Sequence, residues 1–188
     1  MKDEIIIEEV RRFVEEESKK PTAIQGYEPY LFHFIPVRDH AVQLAEKLGA
    51  DIEVVEIAAW LHDVGSILYG RENHHITGAE IAENKLKELN YPAEKIKKVK
   101  LCILNHRGSV NNSRESVEEQ IISDADTISN FENISGIFKA AFVYENLNQG
   151  EAKISVREKL QRKYEQLYLE ESREIVKPKY EAAMLLLK

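Results

Sequence analysis

His62 and Asp63 close the apolar run Val-Val-Glu-Ile-Ala-Ala-Trp-Leu over residues 54–61, and that pairing is the strongest chemical signal in the chain. A helix that buries Ile57, Ala58 and Leu61 rarely carries an imidazole and a carboxylate inward together unless something neutralises them, and a metal ion would do so. All six histidines fall between residues 33 and 106, and the last 82 residues contain none. Surface histidines would scatter; these converge. With Asp126, the candidate ligands are His33, His62, Asp63, His74 and His106. Imidazole and carboxylate donors suit Mn, Fe, Zn, Ni or, with more oxygen, Mg, and the lack of thiolate clusters removes structural zinc.

The elements that must position these groups read as helices, because apolar residues recur with a helical period and almost none alternate as in a strand. Ile6, Val10, Phe13 and Val14 mark a first helix over residues 4–18 that stops near Pro21. Val37, Ala41, Leu44, Ala45 and Leu48 form the stripe of a second, ending at Gly49. Asp51 caps a third that runs to His62-Asp63 and is closed by Gly65, followed by a loop over 66–76 that holds His74 and His75. A fourth helix spans about 77–89, and a fifth runs from Ala93 to His106, which shares the buried stripe of Ile96, Val99 and Ile103. Gly108-Ser-Val-Asn-Asn-Ser reads as a polar turn, then Ser116 to Asn130 as a helix bearing Asp124 and Asp126. Further helices are expected over 134–146 and, after a break at Gly150, over 155–176, with Pro178 interrupting before a last short one.

At 188 residues the chain is most simply one domain, 1–188, able to close a core without disulfides. The metal-binding part is about 30–130, with C-terminal helices 131–188 on the same core. A net charge of -7, with no Lys/Arg stripe standing free of Glu, argues against a sequence-blind nucleic-acid surface. No apolar run is long enough to span a bilayer, and the N-terminus lacks signal-peptide features, so a cytoplasmic location is expected. The lone Cys102 reads as a small core hydrophobe. The Glu- and Lys-rich stretch 151–174 reads as the wet face of amphipathic helices whose apolar face is core or a homodimer seam.

His33, His62-Asp63-Val-Gly and Asp124-Ala-Asp126, with Val37, Ala41, Ala45 and Ala50-Asp51 at small and apolar packing positions, resemble the HD-domain superfamily of metal-dependent phosphohydrolases over residues 30–130. The resemblance implies an all-α HD-domain bundle in which His33, His62, Asp63 and Asp126 bind one divalent metal. It further implies that His74 and His106 match the added ligands of dinuclear members, with Asp63 bridging. Two cations about 3.5–4 Å apart would clamp a phosphate and generate hydroxide from water at neutral pH. The chain departs from relatives at Pro36, where many carry Arg, and at Ser66, where those cleaving nucleoside monophosphates carry Glu, so that substrate is not assigned.

Asp124, two residues before Asp126, points elsewhere on a regular helix and is expected to act with Asp63 in catalysis by orienting a ligand histidine, or else to cap a helix. Arg71 and Arg107 are the expected phosphate-binding cations, against plainer readings as a solvated loop residue and a helix C-terminal cation. His40 and His75 read as hydrogen-bonded core residues, although His75 competes with His74 and His40 could replace His33. The expected function is hydrolysis of a phosphomonoester or phosphodiester of a small, nucleotide-like molecule using one or two divalent ions. A di-iron oxygenase and a non-catalytic nucleotide-sensing module are the alternatives.

Overall fold

A computed structural model describes residues 2–108 and 113–188. Residues 109–112 of the expected polar turn lie outside the described residues. The described residues form helices and connecting turns: α1 (Lys2–Lys19), a π-helical turn (Tyr30–Phe34) leading directly into α2 (Ile35–Leu48), α3 (Ile52–Leu61), α4 (Val64–Tyr69), α5 (His74–Glu88), α6 (Ala93–Asn105) and α7 (Val117–Glu132). After these come α8 (Ile134–Lys139), a second π-helical turn (Ala140–Tyr144), α9 (Gln149–Glu165) and α10 (Glu170–Leu186). No helix among the described residues is long and apolar enough to cross a membrane.

α3 is the axis of the fold. Val54, Val55 and every residue from Ile57 to Leu61 are buried, so it is apolar on all sides, as a helix must be when neighbours surround it. Those neighbours are α1, α2, α6 and α7, with α5 touching it more lightly. Asp51 starts it, its Oδ1 accepting the Val54 N–H at 3.3 Å. α2 presents the expected stripe of Val37, Ala41, Leu44 and Ala45, with Pro36 in its first turn and Gly49 ending it at φ +69°, a left-handed conformation that favours glycine. α7 begins with a reciprocal capping box between Ser116 and Glu119, which holds its N-terminus in place before Asp124 and Asp126.

The expected loop over 66–76 is instead mostly helical: α4 occupies 64–69, and His74 opens α5. Gly65 does not close α3. It lies within α4 where that helix meets α5, and a Cβ there would fall 2.5 Å from Thr77 Oγ1 and 2.7 Å from Gly78 N. Only a residue without a side chain allows this approach, and the approach brings His74 beside His62-Asp63.

The C-terminal segment also breaks elsewhere than Pro178. α9 starts at a capping box between Asn148 and Glu151, with Gly150 in its first turn, and ends at Glu165; α10 then runs through Pro178 without interruption. Proline is tolerated there because Pro178 and Glu174, whose carbonyl loses its helical partner, both face water. Ala152, Val156 and Leu160 of α9 and Val176 and Ala183 of α10 join the same buried apolar cluster as α3 and α7.

Candidate metal centre

Six side chains expected from the sequence meet at one end of the bundle. His33 comes from the π-helical turn before α2, His62 and Asp63 from the end of α3, His74 from the start of α5, His106 from just past α6, and Asp126 from α7. They arrange as two groups that share one carboxylate. In the first, His33 Nε2 lies 3.1 Å from His62 Nε2, 3.6 Å from Asp63 Oδ2 and 3.4 Å from Asp126 Oδ1. In the second, Asp63 Oδ1 lies 3.1 Å from His74 Nε2 and 3.5 Å from His106 Nε2, and those two nitrogens are 3.2 Å apart. The donor atoms of His33, His62 and Asp63, and likewise of Asp63, His74 and His106, lie within 4.8 Å of one another.

The far nitrogen of each ring explains the orientation. His62 Nδ1 pairs with the Ala59 carbonyl at 2.8 Å, and His106 Nδ1 with the Ile103 carbonyl at 2.6 Å. Both carbonyls belong to the last turn of a helix, where no further N–H exists to satisfy them. His74 Nδ1 pairs with the Arg71 carbonyl at 2.7 Å, and His33 Nδ1 with Ser129 Oγ at 3.1 Å. A carbonyl can only accept, so in His62, His74 and His106 Nδ1 carries a proton and Nε2 is the nitrogen turned inward toward the cluster. Ser129 completes the same pattern for His33: its hydroxyl is 3.5 Å from the His33 carbonyl, to which it can donate while accepting from Nδ1.

Where these Nε2 atoms are unprotonated, the cluster presents only acceptors to its centre. Asp63 Oδ1 is buried and makes no hydrogen bond. Nitrogen lone pairs and carboxylate oxygens facing one another at 3.1–3.6 Å repel unless a cation lies between them. The residues present therefore fit one divalent ion in each group, with Asp63 offering Oδ2 to one and Oδ1 to the other.

Charge in the cluster follows burial and neighbours. Burial pulls the His62 pKa down to about 4, with Asp63 opposing and His33 and His106 reinforcing the shift. Burial works against the Asp63 charge, but the imidazoles of His62 and His74 hold its carboxyl well below the usual range. Asp126 is similarly kept below its ordinary range, against burial, by Lys163 and then His33. Its Oδ2 lies 2.8 Å from Lys163 Nζ, and its Oδ1 accepts from Asn130 Nδ2 at 2.9 Å.

Asp124 is not at this centre, which corrects the expectation of a catalytic role. Its carboxylate accepts the backbone N–H groups of Tyr168, at 3.1 and 3.2 Å, and Leu169, at 2.9 Å, and so caps the start of α10. Burial raises its pKa even though those N–H groups favour the anion. His40 pairs with Glu132 at 2.8 Å, away from the ligands, and His75 is buried beside His74 with its Nδ1 unpartnered.

A cleft of about 1130 Å³ opens over the candidate ligands, and Arg71 and Arg107 are among the residues that line it. Arg107 also donates to the Glu72 carbonyl, pinning the segment before His74. Ser66 lines the cleft and accepts a hydrogen bond from Gln25 Nε2 at 2.9 Å, so no carboxylate occupies that place.

The opposite wall was not foreseen. Ser155, Lys159, Arg162 and Lys163 of α9, with Gln166 just past its end, line the cleft, although Arg162 and Gln166 are also exposed to water. Their spacing of three and four residues puts them on one side of α9, bordered by Glu151 and Glu158. Burial, with Arg71 and Lys163 nearby, lowers the Lys159 pKa to about 8.

The family model for the HD domain matches residues 30–130, the stretch that carries all six ligands. The chain belongs to the HD-domain family. An uncharacterized protein from Clostridium beijerinckii is 36% identical to this HD-domain chain over 81 residues, covering 41% of this chain. The match spans only 52% of that curated relative's own length. Among solved structures, Bacillus subtilis YpgQ in complex with ADP is similar with a TM-score of 0.73 and 20% identity over 99% of this chain and 92% of that one. Lin1889 from Listeria innocua gives 0.74 and 20% over 100% and 94%. A protein from Bacillus thuringiensis named as an HD-superfamily hydrolase gives 0.71 and 20% over 99% and 94%. At such identity the likeness shows the fold, and it extends through the C-terminal helices outside the matched HD region.

Proposed function

We propose that this HD-domain protein is a divalent-metal-dependent hydrolase of phosphate esters of small, nucleotide-like molecules. The observation that carries the reading is the cluster itself, in which four imidazoles and two carboxylates converge beneath a cleft walled by cations. His33, His62, Asp63 and Asp126 would hold one ion, and Asp63, His74 and His106 the other. When bound, such ions supply Lewis acidity toward a phosphoryl oxygen and lower the pKa of water at the site.

The chain's own residues do the rest. Asp63 sets the separation of the two groups by turning one oxygen to each. Lys163 and Asn130 hold Asp126 in place, an outer layer of contacts that orients ligands and tunes their basicity. Arg71 and Arg107 line the cleft over the ligand cluster, and guanidinium groups suit phosphate oxygens through paired hydrogen bonds. This cationic wall supports phosphate chemistry over oxygen activation on a neutral substrate. The ADP held by YpgQ supports a nucleoside phosphate, and the cleft volume suits a small molecule.

The test is elemental analysis combined with turnover of p-nitrophenyl phosphate, bis-p-nitrophenyl phosphate and nucleotides in the presence of Mn or Mg. Asp63→Ala is expected to lose both ions and all turnover while keeping its helical circular dichroism, and His74→Ala to reduce two ions to one. Turnover at the wild-type level in Asp63→Ala would place the active site elsewhere.

A further inference from the structure

Lys159 stands out among the cleft cations. Lys163 is paired with Asp126, Lys139 with Glu28, and Arg162 approaches Glu158. Among the described residues neither Lys159 nor Arg71 makes an ion pair within 4.0 Å, although both line the cleft. Lys159 is half-buried, and the charges closest in effect are Arg71 and Lys163, with Glu145 and Asp126 acting more weakly. A half-buried ammonium facing two other cations costs stability in the empty protein. A sacrifice of this kind is characteristic of groups placed for a ligand.

Position supplies the second part of the argument. Lys163 touches a metal ligand, and Lys159 lies four residues earlier on the same face of α9, about 6 Å along the helix axis at the usual rise per residue. Arg71 approaches from the segment between α4 and α5. Lys159 thus lies about one helical turn farther along the cleft wall than the lysine that touches the ligand cluster. Neither it nor α9 belongs to residues 30–130 matched by the HD family.

We propose that Lys159, together with Arg71, is a specificity-determining site for a second anionic group of the substrate, a phosphoryl or a carboxylate about one helical turn from the phosphate at the metals. This rests on the hydrolase reading for the reaction, but the binding it describes can be measured without turnover.

The experiment is calorimetric titration of the full-length, Mn-loaded protein with orthophosphate and with methylenediphosphonate, a non-hydrolysable molecule bearing two phosphoryl groups. Wild type is expected to bind methylenediphosphonate ~10–100-fold more tightly than orthophosphate, the scale of one or two charge-assisted hydrogen bonds. Lys159→Gln should reduce that preference to within about threefold while leaving orthophosphate affinity unchanged, and Lys159→Arg should restore most of it. The thermal midpoint of metal-free Lys159→Gln should equal or exceed that of wild type, because a cation facing two others has been removed; a merely structural lysine would lower it.

The proposal is overturned if wild type shows no preference, if Lys159→Gln keeps the preference, or if both affinities fall together. Absence of any phosphate-ester turnover alongside the expected binding pattern would sink the hydrolase reading and leave this subsite standing. Turnover with the preference unaffected by Lys159→Gln would do the reverse.

Discussion

On the ligand-bearing wall of the cleft, every metal-facing imidazole is fixed at its far nitrogen by a carbonyl or by Ser129, so the rings are oriented before any ion arrives. On the α9 wall, Lys163 is tied to Asp126, while Lys159 makes no ion pair within 4.0 Å among the described residues and feels the charges of Arg71 and Lys163. The first wall is built for a small, hard charge of fixed position, for which preorganisation lowers the cost of binding. The second keeps a charge in reserve for an anion that comes and goes. On the reading proposed above, the contrast separates a wall that would hold metal ions from one that would meet the substrate.

The comparison is sharpened most by Lys163, which joins the two walls. Lys163→Met is expected to lower metal affinity by ~10–100-fold, the usual effect of removing an outer partner of a ligand. Competition with a fluorescent chelator would measure it, and unchanged affinity would show the walls to be independent. Asp124→Ala comes next, with an expected loss of about 1–2 kcal/mol as the start of α10 loses its cap. Denaturant unfolding would report it, while metal content should stay at the wild-type value; a loss of metal would return Asp124 to the site.

The smallest effect is on pH dependence in protein stripped of metal by a chelator. The folded pKa of His62 is depressed from 6.5 to about 4. Between those values the unfolded chain takes up a proton that the folded one refuses. Stability should therefore be highest above pH 6.5 and fall as pH drops toward 4, as thermal melts would record. A flat profile across that window would mean that His62 is not buried as a neutral ring.

Much of the ligand wall was legible because its signals are local. His62-Asp63 follows an apolar helix, and His106 shares a period with Ile96, Val99 and Ile103. The segment around His74 read as a loop because Gly65 and Gly70 look like breaks, yet Gly65 marks a close approach of two helices instead. Pro178 misled for a related reason: proline is disruptive only where the lost hydrogen bond has no substitute, and water supplies one there. Periodicity alone puts the charged stretch of α9 in solvent, because it separates apolar from polar faces but does not say which polar face meets a cleft.

The amino-acid sequence alone determined the helical class, the order of most helices and the six ligand candidates, since side-chain period, caps and donor chemistry act over a few residues. The tertiary structure alone decided that Asp63 serves two groups and that Asp124 caps α10 across 44 positions. It also decided that Ser129 orients His33 across 96 positions and that Lys163 reaches Asp126 across 37. Such pairings depend on how helices cross, and crossing is set by the shape of the whole buried core rather than by any stretch of it.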